Sequence, residues 1–211
     1  MRLVTPGGLA GVLGTLLVST AAVAGVPSAP PWSTIPSRIA LVGSRNGTPD
    51  STLGRFTVYV TRFGVPRPNT NVVVDLTTAP GMRFASTQAP NPVTIDCTRR
   101  WASAYADANG IAAFTLVGSS SAAATPGPTQ VRIDADGVLF GTIPVSAYDL
   151  DGANGVDGAD LSIWARDYFS NQYYGRSDYD GDGALGPADL SMWAAALFAG
   201  GSSSSAPATC P

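Results

Sequence analysis

DLDGANGVDGADL (residues 149–161) and DYDGDGALGPADL (residues 178–190) are two copies of one 13-residue pattern, and each runs straight into an apolar segment, LSIWARDYF or LSMWAAALF. Laid over each other at an offset of 29, residues 149–169 and 178–198 agree at 10 of 21 positions. The agreements concentrate on Asp positions and on one apolar stripe. That stripe is Leu161, Trp164, Ala165 and Tyr168 in the first copy and Leu190, Trp193, Ala194 and Leu197 in the second. The spacing i, i+3, i+4, i+7 predicts a helix after each loop, with Trp164 and Trp193 packed between the two helices. Oxygen donors at alternate loop positions ahead of a packing helix suit a hard cation such as Ca²⁺.

Numbered as 12-position calcium loops, the two copies differ. In the second, Asp178, Asp180 and Asp182 hold positions 1, 3 and 5. Gly183 at position 6 permits the sharp turn, Ala184 at position 7 offers a backbone carbonyl, and Asp189 closes the loop at position 12. Gly186 leaves position 9 to water, and Pro187 suits the first turn of a helix. In the first copy Asp149, Asp151 and Asp160 hold positions 1, 3 and 12, but position 5 is Ala153. Asn154 stands where a left-handed conformation is needed, Gly155 offers the position 7 carbonyl, and Asp157 at position 9 compensates in part. Two Ca²⁺ sites are expected, the second stronger than the first.

The charges support cations as partners. All 15 acidic residues are Asp, all 12 basic residues are Arg, and Glu, Lys and His do not occur. Nine of the Asp lie from Asp149 to Asp189, which argues against nucleic acid. Without His there is no Ser–His or Cys–His dyad and no His-ligated zinc. Outside the repeat only Asp50, Asp75, Asp96, Asp107, Asp134 and Asp136 remain, most in turns or alternating strands. A glycosidase needs two opposed carboxylates in a cleft, so no enzyme is expected.

Residues 1–24 read as a cleaved secretory signal: Arg2, an apolar stretch over residues 9–18, then Ala22-Val23-Ala24 before Gly25. Nothing later could span a bilayer, so a secreted or cell-surface protein is expected, with no membrane contact after cleavage. In that setting Cys97 and Cys210 are free to form an internal disulfide, to remain unpaired or to pair with another chain.

Residues 25–37 are a Pro- and Ser-rich lead-in, and residues 38–147 carry strand signals. FTVYVT (56–61), NVVVDLT (71–77), PVTID (92–96), IAAFTLV (111–117), TQVRIDA (129–135) and VLFGTIPVSA (138–147) are strands, most of them alternating. Asp136-Gly137 is a hairpin signal, and residues 107–110 (DANG) a second tight turn. With no helical period among them, these strands predict a β-sandwich. VPRPNTNVVVDL and ADANGIAAFTL make this segment resemble the bacterial immunoglobulin-like domains of the invasin type. That resemblance implies a spacer or adhesive module.

TIPVSAY leaves no room for a helix entering the first loop, so these are not ordinary EF-hands. Two loop–helix units without entering helices resemble the dockerin family, over residues 148–199. By that resemblance the ligands are Asp149, Asp151 and Asp160 with Asp178, Asp180, Asp182 and Asp189. The resemblance also implies capture of a cohesin-like or other extracellular scaffold protein, as in assemblies that degrade polysaccharides. Positions 10 and 11 are Gly158-Ala159 and Pro187-Ala188, where the best-known dockerins carry Ser-Thr. A partner-facing surface is expected around Ala159, Arg166 and Ala188. The whole is thus expected to be mixed: an immunoglobulin-like β-sandwich plus a small all-α dockerin-like domain, with residues 200–211 a flexible tail unless Cys210 ties it down. The alternative is an adhesin or spacer whose repeat only stabilises its own chain; a small carbohydrate-active enzyme carrying its own dockerin-like repeat ranks after it.

Overall fold

The computed structural model describes residues 26–30, 32–45, 48–88, 92–198 and 210. The expected signal over residues 1–24 and the expected tail apart from Cys210 lie outside the described residues. The fold is mixed and β-rich, with a few short helices. Its strands in chain order are β1 (Ile39–Leu41), β2 (Ser44–Arg45), β3 (Thr48–Pro49), β4 (Arg55–Tyr59), β5 (Thr61–Arg62), β6 (Val65–Pro66) and β7 (Asn71–Asp75). Then follow β8 (Arg83–Phe84), β9 (Thr94–Asp96), β10 (Trp101–Tyr105), β11 (Ile111–Thr115), β12 (Gly118–Ser119), β13 (Gln130–Ala135) and β14 (Val138–Ala147). The helices are α1 (Ser51–Gly54), α2 (Gly158–Phe169) and α3 (Pro187–Ala196), with a 3-10 turn at Gly175–Ser177.

Alternation places the core. Val72 and Val74 of β7, Val131 and Ile133 of β13, and Ala102 and Ala104 of β10 point to one side of a six-stranded sheet ordered β1-β14-β13-β7-β10-β9. Val58 of β4 and Phe114 of β11, a separate strand pair, join the same cluster, and Phe56 stacks on Phe114 at 5.1 Å. The β13–β14 hairpin turns at Asp136 (φ 46°) and Gly137 (φ 80°), the left-handed pair that a two-residue hairpin requires. The turn over residues 107–110 carries the chain from the six-stranded sheet to the β4–β11 pair. Gly110 has φ 76°, and a Cβ there would stand 2.5 Å from the Val60 carbonyl oxygen.

Two parts of the architecture go beyond the sequence reading, and a third decides between the alternatives it left open for the cysteines. β10 is a central strand although WASAY carries no strong strand formers at its Ala and Ser positions. β1 adds in parallel to the end of β14, pairing Ile39 with Val145 and Leu41 with Ala147. Cys97 and Cys210 form a disulfide with Cα atoms 5.1 Å apart, and the Cys210 N–H donates to the Phe84 carbonyl at 2.8 Å.

A second apolar cluster lies on the other side of β1. Ile39 and Leu41 face the first core, whereas Ala40 and Val42 pack with Tyr148, Leu150, Val156, Trp164, Tyr179, Trp193 and Ala196. The boundary expected at residue 148 is therefore crossed by a shared cluster. Burial on the two long helices also falls one residue off the expected stripe: Asp160, Trp164 and Asp167 on α2, and Asp189, Trp193 and Ala196 on α3, while Leu161 and Leu190 are exposed. The position 12 carboxylates cause the offset. Each is drawn inward by backbone N–H groups of its own loop and rotates the helix with it.

Candidate metal centre

Each loop is wound on its own aspartates. Asp178 Oδ1 accepts from the Gly181 N–H (2.7 Å) and Oδ2 from the Gly183 N–H (3.0 Å). Asp180 accepts from Asp182 N–H (3.1 Å), and Asp182 from Ala184 N–H (2.8 Å). In the first loop Asp149 accepts from Gly152 N–H (2.6 Å) and Asp151 from Ala153 N–H (2.8 Å). The backbone turns left-handed at position 4 in both copies, Gly152 (φ 78°) and Gly181 (φ 76°). It does so again at position 6, at Asn154 (φ 61°) and Gly183 (φ 89°), where the sequence anticipated it. At position 7 the copies part: Gly155 has φ 74°, and Ala184 is not left-handed.

The position 12 residues close both loops identically. Asp160 Oδ1 accepts from Leu150 N–H (2.6 Å) and Asp151 N–H (3.3 Å), and Oδ2 from Asp157 N–H (2.8 Å). Asp189 Oδ1 accepts from Tyr179 N–H (2.6 Å) and Asp180 N–H (3.2 Å), and Oδ2 from Gly186 N–H (2.8 Å). Each carboxylate thus starts its helix and ties the helix back to the loop entrance. Asp157 is the N-cap of α2, accepting from Ala159 N–H at 2.7 Å. Pro187 begins α3 as expected.

Three carboxylates converge in each loop. Asp149, Asp151 and Asp160 each present an oxygen within 4.8 Å of the others, and so do Asp178, Asp180 and Asp182. Oxygens that share one Ca²⁺ at 2.3–2.6 Å can stand no more than about 5 Å apart, so both sets fit such an ion by chemistry and by spread. Asp157 and Asp189 are not among the convergent groups. Both clusters could hold a metal ion.

The electrostatics of the first loop are those of crowded, buried negative charge. Burial, then the charge of Asp160, pushes the Asp149 carboxyl up to about 8. Burial raises Asp160 to about 6 against the N–H bonds that favour its charged form, and burial raises Asp189 as well. A cation would reverse this by favouring the ionised oxygens. Beside the second loop, Tyr173 donates its hydroxyl to Asp178 Oδ2 at 2.8 Å. Burial and that bond raise the phenol above its ordinary range.

Ala159, Arg166 and Ala188 are all exposed in the structure. Ala159 and Ala188 lie on the first turns of α2 and α3. Arg166, while exposed, also donates to the Ala122 carbonyl (3.0 Å) and approaches Asp167 (3.4 Å). The sequence reading did not single out Asp167 or Arg176, which form a buried ion pair, nor Tyr173. The available signal was Asp167 three residues after Trp164: a charge on the buried side of a helix demands a partner.

In comparisons with known proteins, no family model, no curated protein and no solved structure matches the chain.

Proposed function

We propose that this is an exported, non-catalytic protein with an immunoglobulin-like β-body, whose two aspartate loops bind Ca²⁺ in a dockerin-like module for attachment to an extracellular scaffold partner. The observation that carries the reading is the pair of convergent carboxylate triads on two loops of one sequence pattern, each leading into a helix that buries its Trp. Asp149, Asp151 and Asp160 would hold one ion, and Asp178, Asp180 and Asp182 the other. Bound Ca²⁺ supplies the positive charge that lets these oxygens stay ionised together. The residues' own part is to present those oxygens from loops already wound by backbone N–H bonds.

Attachment draws support from apolar residues exposed in equivalent places on the two copies: Leu161 with Leu190, and Phe169 with Phe198. A cohesin-type partner, in an assembly acting on polysaccharides, is the partner class that this reading names. Asp50, Asp96 and Asp107 serve a helix cap, a surface ion pair and a turn, which supports a non-catalytic role. The test is calorimetric titration with Ca²⁺ together with capture on immobilised cohesin domains in Ca²⁺ and in EDTA. Ca²⁺ uptake with Ca²⁺-dependent capture supports the reading in full. No heat of Ca²⁺ binding overturns it.

A second reading has its own observation. The loop–helix units share an apolar cluster with Ala40 and Val42, and Arg176 donates to the Ser121 carbonyl. On that basis the repeat is a calcium clip that stabilises its own chain, and Ca²⁺ would raise stability while no scaffold partner is captured.

A further inference from the structure

The outer face of the six-stranded sheet carries chemistry that the calcium loops do not use. With Val72 and Val74 in the core, Asn71, Val73 and Asp75 of β7 face outward. With Ala102 and Ala104 buried, Trp101, Ser103 and Tyr105 of β10 share that face. The registers set Trp101 beside Asp75, and Asp75 beside Arg132. One row along, Ser103, Val73 and Asp134 are neighbours. At the hairpin end Asp136 accepts from the Asn71 N–H at 3.0 Å. Trp101, Asp75, Asn71, Arg132, Asp134 and Asp136 line a cleft of 440 Å³, within the roughly 300–1,000 Å³ of small-molecule sites.

Two polar atoms of this cleft are buried without a hydrogen-bond partner: Oδ1 of Asn71, an acceptor, and Nε of Arg132, a donor. Native folds seldom leave such atoms unsatisfied. The other groups are held in place. Asp75 accepts from Thr77 N–H (2.7 Å), and Asp134 from Arg132 Nη2 (3.1 Å). The Arg99 guanidinium lies 5.3 Å from the Trp101 ring centre and is itself paired with Asp96 at 3.1 Å.

We propose that this cleft binds a neutral sugar residue, and with Tyr105 at the far end of β10 a short oligosaccharide. A pyranose ring offers an apolar C–H face to the indole. Its hydroxyls each donate and accept, so one rim can satisfy Asn71 Oδ1, Arg132 Nε and the carboxylates together. The lining sets three carboxylates against the one guanidinium of Arg132, and Arg99 beside Trp101 is already neutralised by Asp96, so an anion is disfavoured. A wholly apolar ligand would leave the orphan donor and acceptor unpaired.

The test titrates the full chain with neutral gluco-, xylo-, manno- and galacto-oligosaccharides, with spermidine and an oligouronate as charged probes. At least one neutral oligosaccharide binds with Kd below about 1 mM. Trp101→Ala and Asn71→Ala each weaken it by about tenfold or more, and Asn71→Ala leaves the melting temperature nearly unchanged because the buried Oδ1 it removes has no partner. Asn71→Ala keeps the test decisive if Trp101→Ala fails to fold. Binding of charged probes alone, no neutral oligosaccharide bound, or affinity unchanged in Asn71→Ala overturns the proposal.

Discussion

Arg176 holds Asp167 through two parallel bonds, Nε to Oδ2 at 2.8 Å and Nη2 to Oδ1 at 2.9 Å, with both side chains out of reach of solvent. Ser177 adds its hydroxyl to the same carboxylate at 2.8 Å, and the third guanidinium nitrogen donates to the Ser121 carbonyl. One buried pair therefore fastens α2, the Gly175–Ser177 turn and a loop of the β-rich body to each other. The Arg is planar and its donors fit a carboxylate two at a time, which Lys could not reproduce.

Removing one partner of this pair strands the other. Asp167→Ala should cost about 3–5 kcal/mol, since an unpaired buried guanidinium loses its Coulomb partner and keeps its desolvation penalty. Replacing both, as in Asp167→Leu with Arg176→Met, should cost much less than the two single changes added together. Urea denaturation in EDTA measures this without interference from metal. Additive losses would show that the pair is not coupled.

The first loop sets a pH dependence for the metal-free protein. Asp149 stands at about 8 and Asp160 at about 6, both above the ordinary 3.8. Between 3.8 and these values the folded state holds more protons than the unfolded one, so stability must fall as pH rises. The contribution is complete below about pH 4 and is lost as pH rises through 6 and then 8. Melting temperatures in EDTA should therefore decline from pH 5 to pH 8. Ca²⁺ affinity should rise over the same window, because the ligands must first lose their protons. An EDTA melting temperature that climbs with pH would mean that these carboxylates ionise freely.

The strong periodicities were legible and the crossings between them were not. Alternation in NVVVDLT and TQVRIDA gave β7 and β13, and Asp136-Gly137 gave the hairpin turn. Asn154 and Gly183 took the left-handed conformation their loop positions require. β10 escaped notice because its buried residues are only Ala102 and Ala104, too small to write a hydrophobic alternation. With β10 unseen, Trp101 could not be placed beside Asp75. β1 is three residues long and pairs with a strand about a hundred residues away, a contact that no local pattern encodes. The apolar stripes located α2 and α3 but missed their rotation, which is set by Asp160 and Asp189 reaching back to loop amides.

The two copies should respond differently to losing an aspartate. Asp182 belongs to the convergent triad of the second loop, whereas Asp157 is spent on capping α2. Asp182→Ala should remove one site's worth of Ca²⁺ affinity while leaving the helix intact. Asp157→Ala should cost about 1 kcal/mol of stability as a lost N-cap and weaken total Ca²⁺ binding less. Calorimetric titration of both variants gives the order. A larger binding loss from Asp157→Ala would make the first loop the principal site.

Attachment and clip are separated on the exposed first turns. Ala159 and Ala188 occupy equivalent places in the two copies, both open to solvent and neither one of the carboxylates of a triad. Introducing Asp at both should abolish capture by a partner, because each new charge would be desolvated there with nothing to pair it. It should leave Ca²⁺ uptake nearly unchanged. Arg166→Ala offers the converse: its guanidinium is engaged by the Ala122 carbonyl of the same chain. That change should loosen the repeat on the body by about 1 kcal/mol, read as a lower melting temperature, with capture retained. If Arg166→Ala abolishes capture at unchanged stability, the docking face includes Arg166 after all. If Ca²⁺ raises the melting temperature and no scaffold partner binds the parent chain, the repeat is a clip, and the exposed Leu161 and Leu190 serve no partner of that class.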